Sequence, residues 1–201
     1  MKILIMSDTH FKNSEIPKNI SSVIRPDPEK AGKDAAANRP DMVIHAGDFS
    51  SAEAFRALKS LCDGEGIQFR AVCGNCDPAE LARLLPEKMI LEEEGLRIGV
   101  IHEAGRSFDE NTARWYLLKQ MNADILIFGH IHCPVIDSYD GKYLICPGSP
   151  TRPRLSDPSM IMMEIGDGKV KSIRPVMLGR SMCGCIRFCD ELSRREQKDR
   201  K

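Results

Sequence analysis

The sequence has no surplus of charge: 29 basic and 29 acidic residues cancel over 201 positions. A chain without a net field is not drawn as a whole to nucleic acid or to an anionic membrane, so any preference for phosphate has to come from a local site. It also lacks an apolar run of about 18 residues, which excludes a membrane-spanning helix. The opening stretch Met1-Lys2-Ile3-Leu4-Ile5-Met6 is apolar but stops at Ser7-Asp8, too short for an export signal. No internal repeat is present. Eight cysteines occur, at 62, 73, 76, 133, 146, 183, 185 and 189. Without an export signal the expected location is the reducing cytoplasm, where free thiols are the default and a disulfide framework is not expected.

What is present is apolar material, 42% of the chain, enough for one domain with a sizeable core. Short apolar runs read as buried strands: Ile3 to Met6, Met42 to Ile44, Phe69 to Val72, Ile98 to Ile101 and Ile125 to Phe128. Helical stretches lie between them. Ser51 to Leu61 places Ala54, Leu58 and Leu61 on one face, with Ser50 or Ser51 as its cap. Pro78 opens a short helix through Leu85. Asp109 to Met121 is a third helix, with Trp115, Leu118 and Met121 toward the core.

The character changes after residue 130. Val135 to Tyr139 and Tyr143 to Cys146 flank Asp140-Gly141, and Met160 to Ile165 and Val170 to Ile173 flank Gly166-Asp167-Gly168. Both pairs read as hairpins. The fold class is therefore α/β, with βαβ units first and antiparallel strands later. Asp27 to Pro40 is polar and Pro-bounded and reads as a helix-containing excursion between the first two strands. Gly179 to Lys201 holds seven basic and four acidic residues. It reads as an appended tail, helical from about Arg187, leaving residues 1–178 as the domain.

The five histidines, 10, 45, 102, 130 and 132, all fall at or just beyond a strand end. Ligands of open α/β sheets bind at the carboxyl ends of strands. In order, those ends carry Asp8-Thr9-His10, Gly47-Asp48, Gly74-Asn75-Cys76-Asp77, His102 and Gly129-His130-Ile131-His132. A single strand-end Asp or His is more often a cap or surface group than a ligand. Five such motifs in sequence are hard to attribute to coincidence. Carboxylate oxygen with imidazole nitrogen suits Mn²⁺, Fe or Zn²⁺. Seven ligands exceed the needs of one such ion, and two ions sharing a carboxylate fit better.

This motif order resembles the calcineurin-like metallophosphoesterases, whose pattern runs Asp-x-His, Gly-Asp, Gly-Asn-His-(Asp/Glu), His, Gly-His-x-His. The resemblance covers roughly residues 1–176. It is strongest to the small bacterial and archaeal phosphodiesterase branch, which also carries Gly-Asn-Cys-Asp and a later Pro-Gly-Ser. Here that is Pro147-Gly148-Ser149, followed by Arg152-Pro153-Arg154. The retromer subunit Vps29 belongs to the same branch.

The resemblance implies a two-sheet sandwich flanked by helices, in four αββα layers. It implies that Asp8, His10, Asp48 and His132 hold one divalent metal, that Asp48 bridges, and that Asn75, His102 and His130 complete the second site. Mn²⁺ is the first expectation, with Ni²⁺, Fe²⁺ and Zn²⁺ as alternatives. A hydroxide between the ions would be the nucleophile, with Asp48, Asn75 and His102 as catalytic residues and a small phosphodiester as substrate. No membrane or nucleic-acid partner is expected, and a homo-oligomer stays open.

Cys76 departs from the wider pattern, which has a His able to protonate the leaving oxygen. A thiol is a poor substitute, which points to diesters with acidic leaving groups, unless Cys76 only packs. After His102 the branch often has His-Gly-His, whereas this chain has His102-Glu103-Ala104. Arg106 is close enough in sequence to reach a phosphate, though it also fits a solvated surface role. His45 could orient Asp48 or simply pack.

Rival readings are weaker. Cys73-Gly74-Asn75-Cys76 is a Cys-x-x-Cys, but no second pair accompanies it and Asn75 already has a metal role. Cys183, Cys185 and Cys189 do not match zinc spacing. The alternative from another class is a Vps29-like interaction scaffold with weak or no catalysis.

Overall fold

The computed structural model describes residues 1–26, 39–105 and 110–179. In chain order the elements are β1 (Lys2–Met6), α1 (Lys18–Ile24), β2 (Met42–His45), α2 (Ala52–Gly64), β3 (Gln68–Ala71), α3 (Ala79–Leu84), β4 (Lys88–Glu93), β5 (Leu96–Ile101), α4 (Asn111–Gln120), β6 (Ile125–Ile127), β7 (Pro134–Tyr139), β8 (Lys142–Pro147), β9 (Ser159–Gly166) and β10 (Lys169–Met177). They form two five-stranded sheets, ordered β10-β9-β1-β2-β3 and β4-β5-β6-β8-β7. Both are mixed. β1, β2 and β3 run parallel, as do β5, β6 and β8, while the outer hairpins pair antiparallel.

Successive side chains of a strand point to opposite faces, and the central strands are apolar on both. In β1, Ile3 and Ile5 face the second sheet, and Leu4 and Met6 face the helices. β9 divides likewise, with Ile161, Met163 and Ile165 inward and Met160 and Met162 outward. From the second sheet, Ile98, Val100, Ile125, Ile127 and Ile145 complete the inter-sheet core. Outside the first sheet, Ile20 and Ile24 of α1 and Ala54, Phe55 and Leu58 of α2 cover Leu4, Met6 and Val43. Outside the second, Leu118 of α4 covers Leu126, Phe128 and Leu144. The result is four layers, helix–sheet–sheet–helix. Strands buried on both faces read as unbroken apolar runs, which is why these elements were legible in sequence.

Local signals behave as their chemistry dictates. Ser51 is the α2 cap, its Oγ accepting the Ala54 N–H at 3.0 Å. Asp140-Gly141 and Asp167-Gly168 both have left-handed backbones, as tight hairpin turns require.

Two elements went unread. β4 is an edge strand whose charged ends hide a three-residue apolar run, and it is recruited by antiparallel pairing to β5. α1 has only seven residues, with two serines inside. Trp115 and Met121, expected to face the core, are half-buried and pack against the cluster that holds Leu118. The Trp115 ring also lies 6.3 Å from the exposed Tyr139. Arg114 takes the inner position, fully buried, with Nε donating to the Ala104 carbonyl at 3.2 Å and the guanidinium over the Phe128 ring. Most of the Asp27–Pro40 excursion, Arg106 and the tail from residue 180 lie outside the described residues. Among those described, no helix is long and apolar enough to cross a membrane.

Phe49 anchors the loop after β2. It is fully buried, stacked on His45 at 3.7 Å and edge-on to Phe55 at 5.4 Å. Phe49→Ala is expected to destabilise the protein by about 3–5 kcal/mol, read as a lowered urea midpoint.

Candidate metal centre

The loops that follow β1, β2, β3, β5 and β6 meet at one end of the sandwich, where the strand order brings their carboxyl ends together. Backbone bonds stitch them: Asp8 N–H to the Gly47 carbonyl at 2.9 Å, His10 N–H to that of Asp48 at 3.2 Å, and Gly129 N–H to that of His102 at 3.0 Å. Asp8, His10, Asp48, His130 and His132 all have left-handed backbones, with φ between 40° and 71°. Such a conformation in a non-glycine residue costs of order 1 kcal/mol or more and persists only where surrounding contacts impose it.

The structure brings all seven expected residues into one cluster. Ligand atoms of Asp8, His10, Asp48 and His132 all lie within 4.8 Å of one another. Asn75 Oδ1 is 2.8 Å from His130 Nδ1 and 3.0 Å from His102 Nε2. Asp48 stands between the two groups, with Oδ2 3.5 Å from His10 Nε2 and Oδ1 3.4 Å from His102 Nε2.

The donor chemistry fits cations. His132 Nδ1 is 2.6 Å from the Arg152 carbonyl and His102 Nδ1 is 2.7 Å from that of Ala46. A carbonyl only accepts, so both Nδ1 atoms carry protons and the Nε2 lone pairs point into the cluster, the arrangement typical of metal-bound imidazoles. His132 Nε2 faces His10 Nε2 at 3.3 Å and Asp8 Oδ1 at 3.2 Å. Asp8 Oδ1 is buried with no hydrogen-bond partner, although Oδ2 receives the His130 N–H at 3.0 Å and lies 2.6 Å from Ser7 Oγ. An orphaned carboxylate oxygen facing imidazole lone pairs is costly unless a positive charge sits among them. His102 Nε2 likewise meets only oxygens. Burial opposes a charge on His102, but the Asp48 carboxylate outweighs it and pushes the pKa up, so a proton and a cation compete for the Nε2 lone pair. Burial also opposes the Asp48 charge, yet the His102 hydrogen bond and charge, with the Cys76 N–H at 2.8 Å, hold that carboxyl far below the usual range.

His45 does not orient Asp48. Its Nδ1 accepts the Gly47 N–H at 3.1 Å, so Nε2 donates to Thr9 Oγ1 at 3.0 Å. It packs fully buried, and desolvation pushes it down to about 3, which keeps it neutral. Cys73 and Cys76 are free thiols, half-buried and exposed respectively.

Three bracing residues were not assigned from sequence. Asp77 accepts from the backbone N–H groups of Gly74 (2.8 Å), Ser50 (2.9 Å) and Asp48 (3.1 Å), clamping the second loop to the third. Its place in Gly74-Asn75-Cys76-Asp77 was the available signal. Ser149 Oγ donates to the Asp8 carbonyl at 2.7 Å and accepts the Arg152 N–H at 2.8 Å. Arg152 in turn offers its carbonyl to His132. The contacts to Asp8 and His132 span 141 and 20 positions, so no local spacing marks them, although Ser149 and Arg152 lie in the stretch that the resemblance singled out.

Two glycines are required by close approach. Gly47 has φ +88°, and a Cβ there would press on His102 Nδ1. A Cβ on Gly74 would overlap Asp48 Oδ1 and its backbone N. Gly74→Ala is expected to leave the far-ultraviolet circular dichroism unchanged while weakening Mn²⁺ binding by about tenfold or more, measured by calorimetric titration.

A family model described as the calcineurin-like phosphoesterase superfamily domain matches residues 1–168. A probable metallophosphoesterase of Methanothermobacter thermautotrophicus is 31% identical over 190 residues, spanning 94% of this chain and 99% of that one. One from Methanocaldococcus jannaschii is 33% identical over 179 residues, spanning 88% and 82%. Among solved structures, zinc-complexed Vps29 of Entamoeba histolytica has a TM-score of 0.65 at 23% identity, over 89% of this chain and 100% of that one. A novel archaeal phosphodiesterase has a TM-score of 0.62 at 22% identity, over 88% and 99%. Likeness at such identity speaks to the fold. Taken with the family match and the curated relatives, it agrees with the motif order: the chain belongs to the calcineurin-like phosphoesterase superfamily.

Proposed function

We propose that the chain is a metal-dependent phosphodiesterase whose centre holds two divalent cations. The observation that carries this reading is the buried, orphaned Asp8 Oδ1 among inward-facing imidazole lone pairs, with Asp48 shared between two groups of donors. Asp8, His10, Asp48 and His132 would hold one ion, and Asn75, His102 and His130 the other, with Asp48 bridging. The mixed oxygen and nitrogen donors favour Mn²⁺, with Ni²⁺, Fe²⁺ and Zn²⁺ as alternatives. When bound, such a pair supplies Lewis acidity at the phosphoryl oxygens and a hydroxide for in-line displacement, by lowering the pKa of water.

The chain's own residues orient and discriminate. The Ala46 and Arg152 carbonyls fix the rings of His102 and His132, and Asp77 fixes the loop that carries Asp48. Hydrolysis adds water across one P–O bond, giving an alcohol and a phosphomonoester. The departing alkoxide needs a proton unless it is already stable. Cys76 is badly suited to give one: desolvation, then its hydrogen bond to Asp48 and that residue's charge, push its thiol up to about 11. Esters with acidic leaving groups are therefore favoured. Arg152 is exposed at the mouth of the site while its backbone is pinned to Ser149 and His132. Its guanidinium is close enough to His10 to oppose protonation of that ring, and in this reading it binds a non-bridging phosphate oxygen. In this reading the protein works in the reducing cytoplasm, where its cysteines stay thiols.

The second reading, favoured by the Vps29 likeness, is a docking module. Turnover separates the two, since a docking module would show a stable partner and no hydrolysis, whether or not it holds metal.

With Mn²⁺ supplied, bis(p-nitrophenyl) phosphate is expected to turn over at least about 10² faster than an alkyl phosphomonoester. Asp48→Asn should lower that turnover by about a hundredfold or more. A preference for the monoester would overturn the reading. Arg152→Ala is expected to raise KM about tenfold with a smaller change in kcat, measured by steady-state kinetics.

A further inference from the structure

Beside Asn75 and His102 the surface opens into a cleft of about 400 Å³. Ligand pockets generally begin near roughly 300 Å³, so the cleft has room for one ester arm and not for a polymer. Its walls are of two kinds. Ile101 and Ala82 contribute apolar surface, and Glu87 and Glu103 contribute carboxylates. Glu87 is exposed on the connection between α3 and β4. It lines the cleft together with Cys73 and Asn75. Across the centre, on the side of His10 and His132, stands Arg152. Among the described residues, Arg152 on one flank and Glu87 on the other therefore carry opposite signs.

We propose that this cleft selects one ester arm of the substrate, accepting a small uncharged or cationic arm, such as that of an amino alcohol, and rejecting an arm with its own anionic group. The inference rests on the phosphodiesterase reading above. The methylene groups of such an arm lie against Ile101 and Ala82, and its ammonium faces Glu87. A second phosphate or a carboxylate in that place meets like charge. The phosphate being hydrolysed sits between Arg152 and the cleft, so the arm's direction follows from the asymmetry of the walls.

The test uses three p-nitrophenyl phosphodiesters whose second arms are choline, its uncharged isostere 3,3-dimethylbutanol, and 3-hydroxypropanoate. The expected order of kcat/KM at low salt is choline, then dimethylbutanol, then hydroxypropanoate, with the spread narrowing as ionic strength rises. Glu87→Lys should lower the choline-to-hydroxypropanoate ratio by about tenfold, and Glu87→Gln by less, with metal content and circular dichroism checked for each. Equal kcat/KM for the three esters, or a ratio unmoved in both variants, would overturn the inference and leave the phosphodiesterase reading standing. No turnover of any ester by metal-loaded protein would overturn that reading and the inference with it.

Discussion

Asp8 Oδ1 is buried without a donor, 3.2 Å from His132 Nε2 and 4.0 Å from His10 Nε2. Most of what surrounds it follows from that juxtaposition. Buried carboxylates and buried lone pairs repel each other, and a protein interior offers little solvent to screen them. The chain commits the outer nitrogens of His102 and His132 to backbone carbonyls, which leaves the inner lone pairs open to a proton or a cation. A site built in this way is completed by positive charge.

Holding acceptors face to face needs bracing. The left-handed backbones of five cluster residues are one sign of it. The braces come from segments far apart in sequence: Asp77 across the second and third loops, Ser149 onto the Asp8 carbonyl, and Arg114 onto the carbonyl of Ala104, two residues past His102. Beneath them lies an inter-sheet core of branched aliphatic side chains, which resists the small shifts that would let the cluster relax. Two apolar sheets pressed together supply the rigidity, and their strand ends supply the chemistry.

The electrostatics of the rim differ from one side to the other. Arg152 and the His10–His132 pair form one flank. Glu87, Glu103 and the apolar Ile101 and Ala82 form the other. A phosphodiester is itself asymmetric, with an anionic centre and two distinguishable arms, and a site polarised in this way has a basis for telling the arms apart.

Much was legible in the sequence because it rests on local or periodic physics. Apolar runs marked β1, β2, β6 and β9, since strands buried on both faces have no polar alternation to obscure them. Asp140-Gly141 and Asp167-Gly168 marked hairpins because few residues tolerate left-handed backbones. The seven cluster residues were legible because each sits at a strand end beside a short motif, and the family resemblance ordered them. β4 was not legible, because its place in the sheet comes from pairing with β5 and not from its own composition. Nor was the inward position of Arg114, a charged residue that is buried beside Leu118 on the same helix. The tautomers of His102 and His132, the packed role of His45 and the clamp of Asp77 belong to tertiary structure alone. A sequence can place donors and acceptors at the ends of strands. Which atoms meet depends on how the two sheets and their loops pack, because hydrogen bonds and charges act over a few ångströms of space and not along the chain.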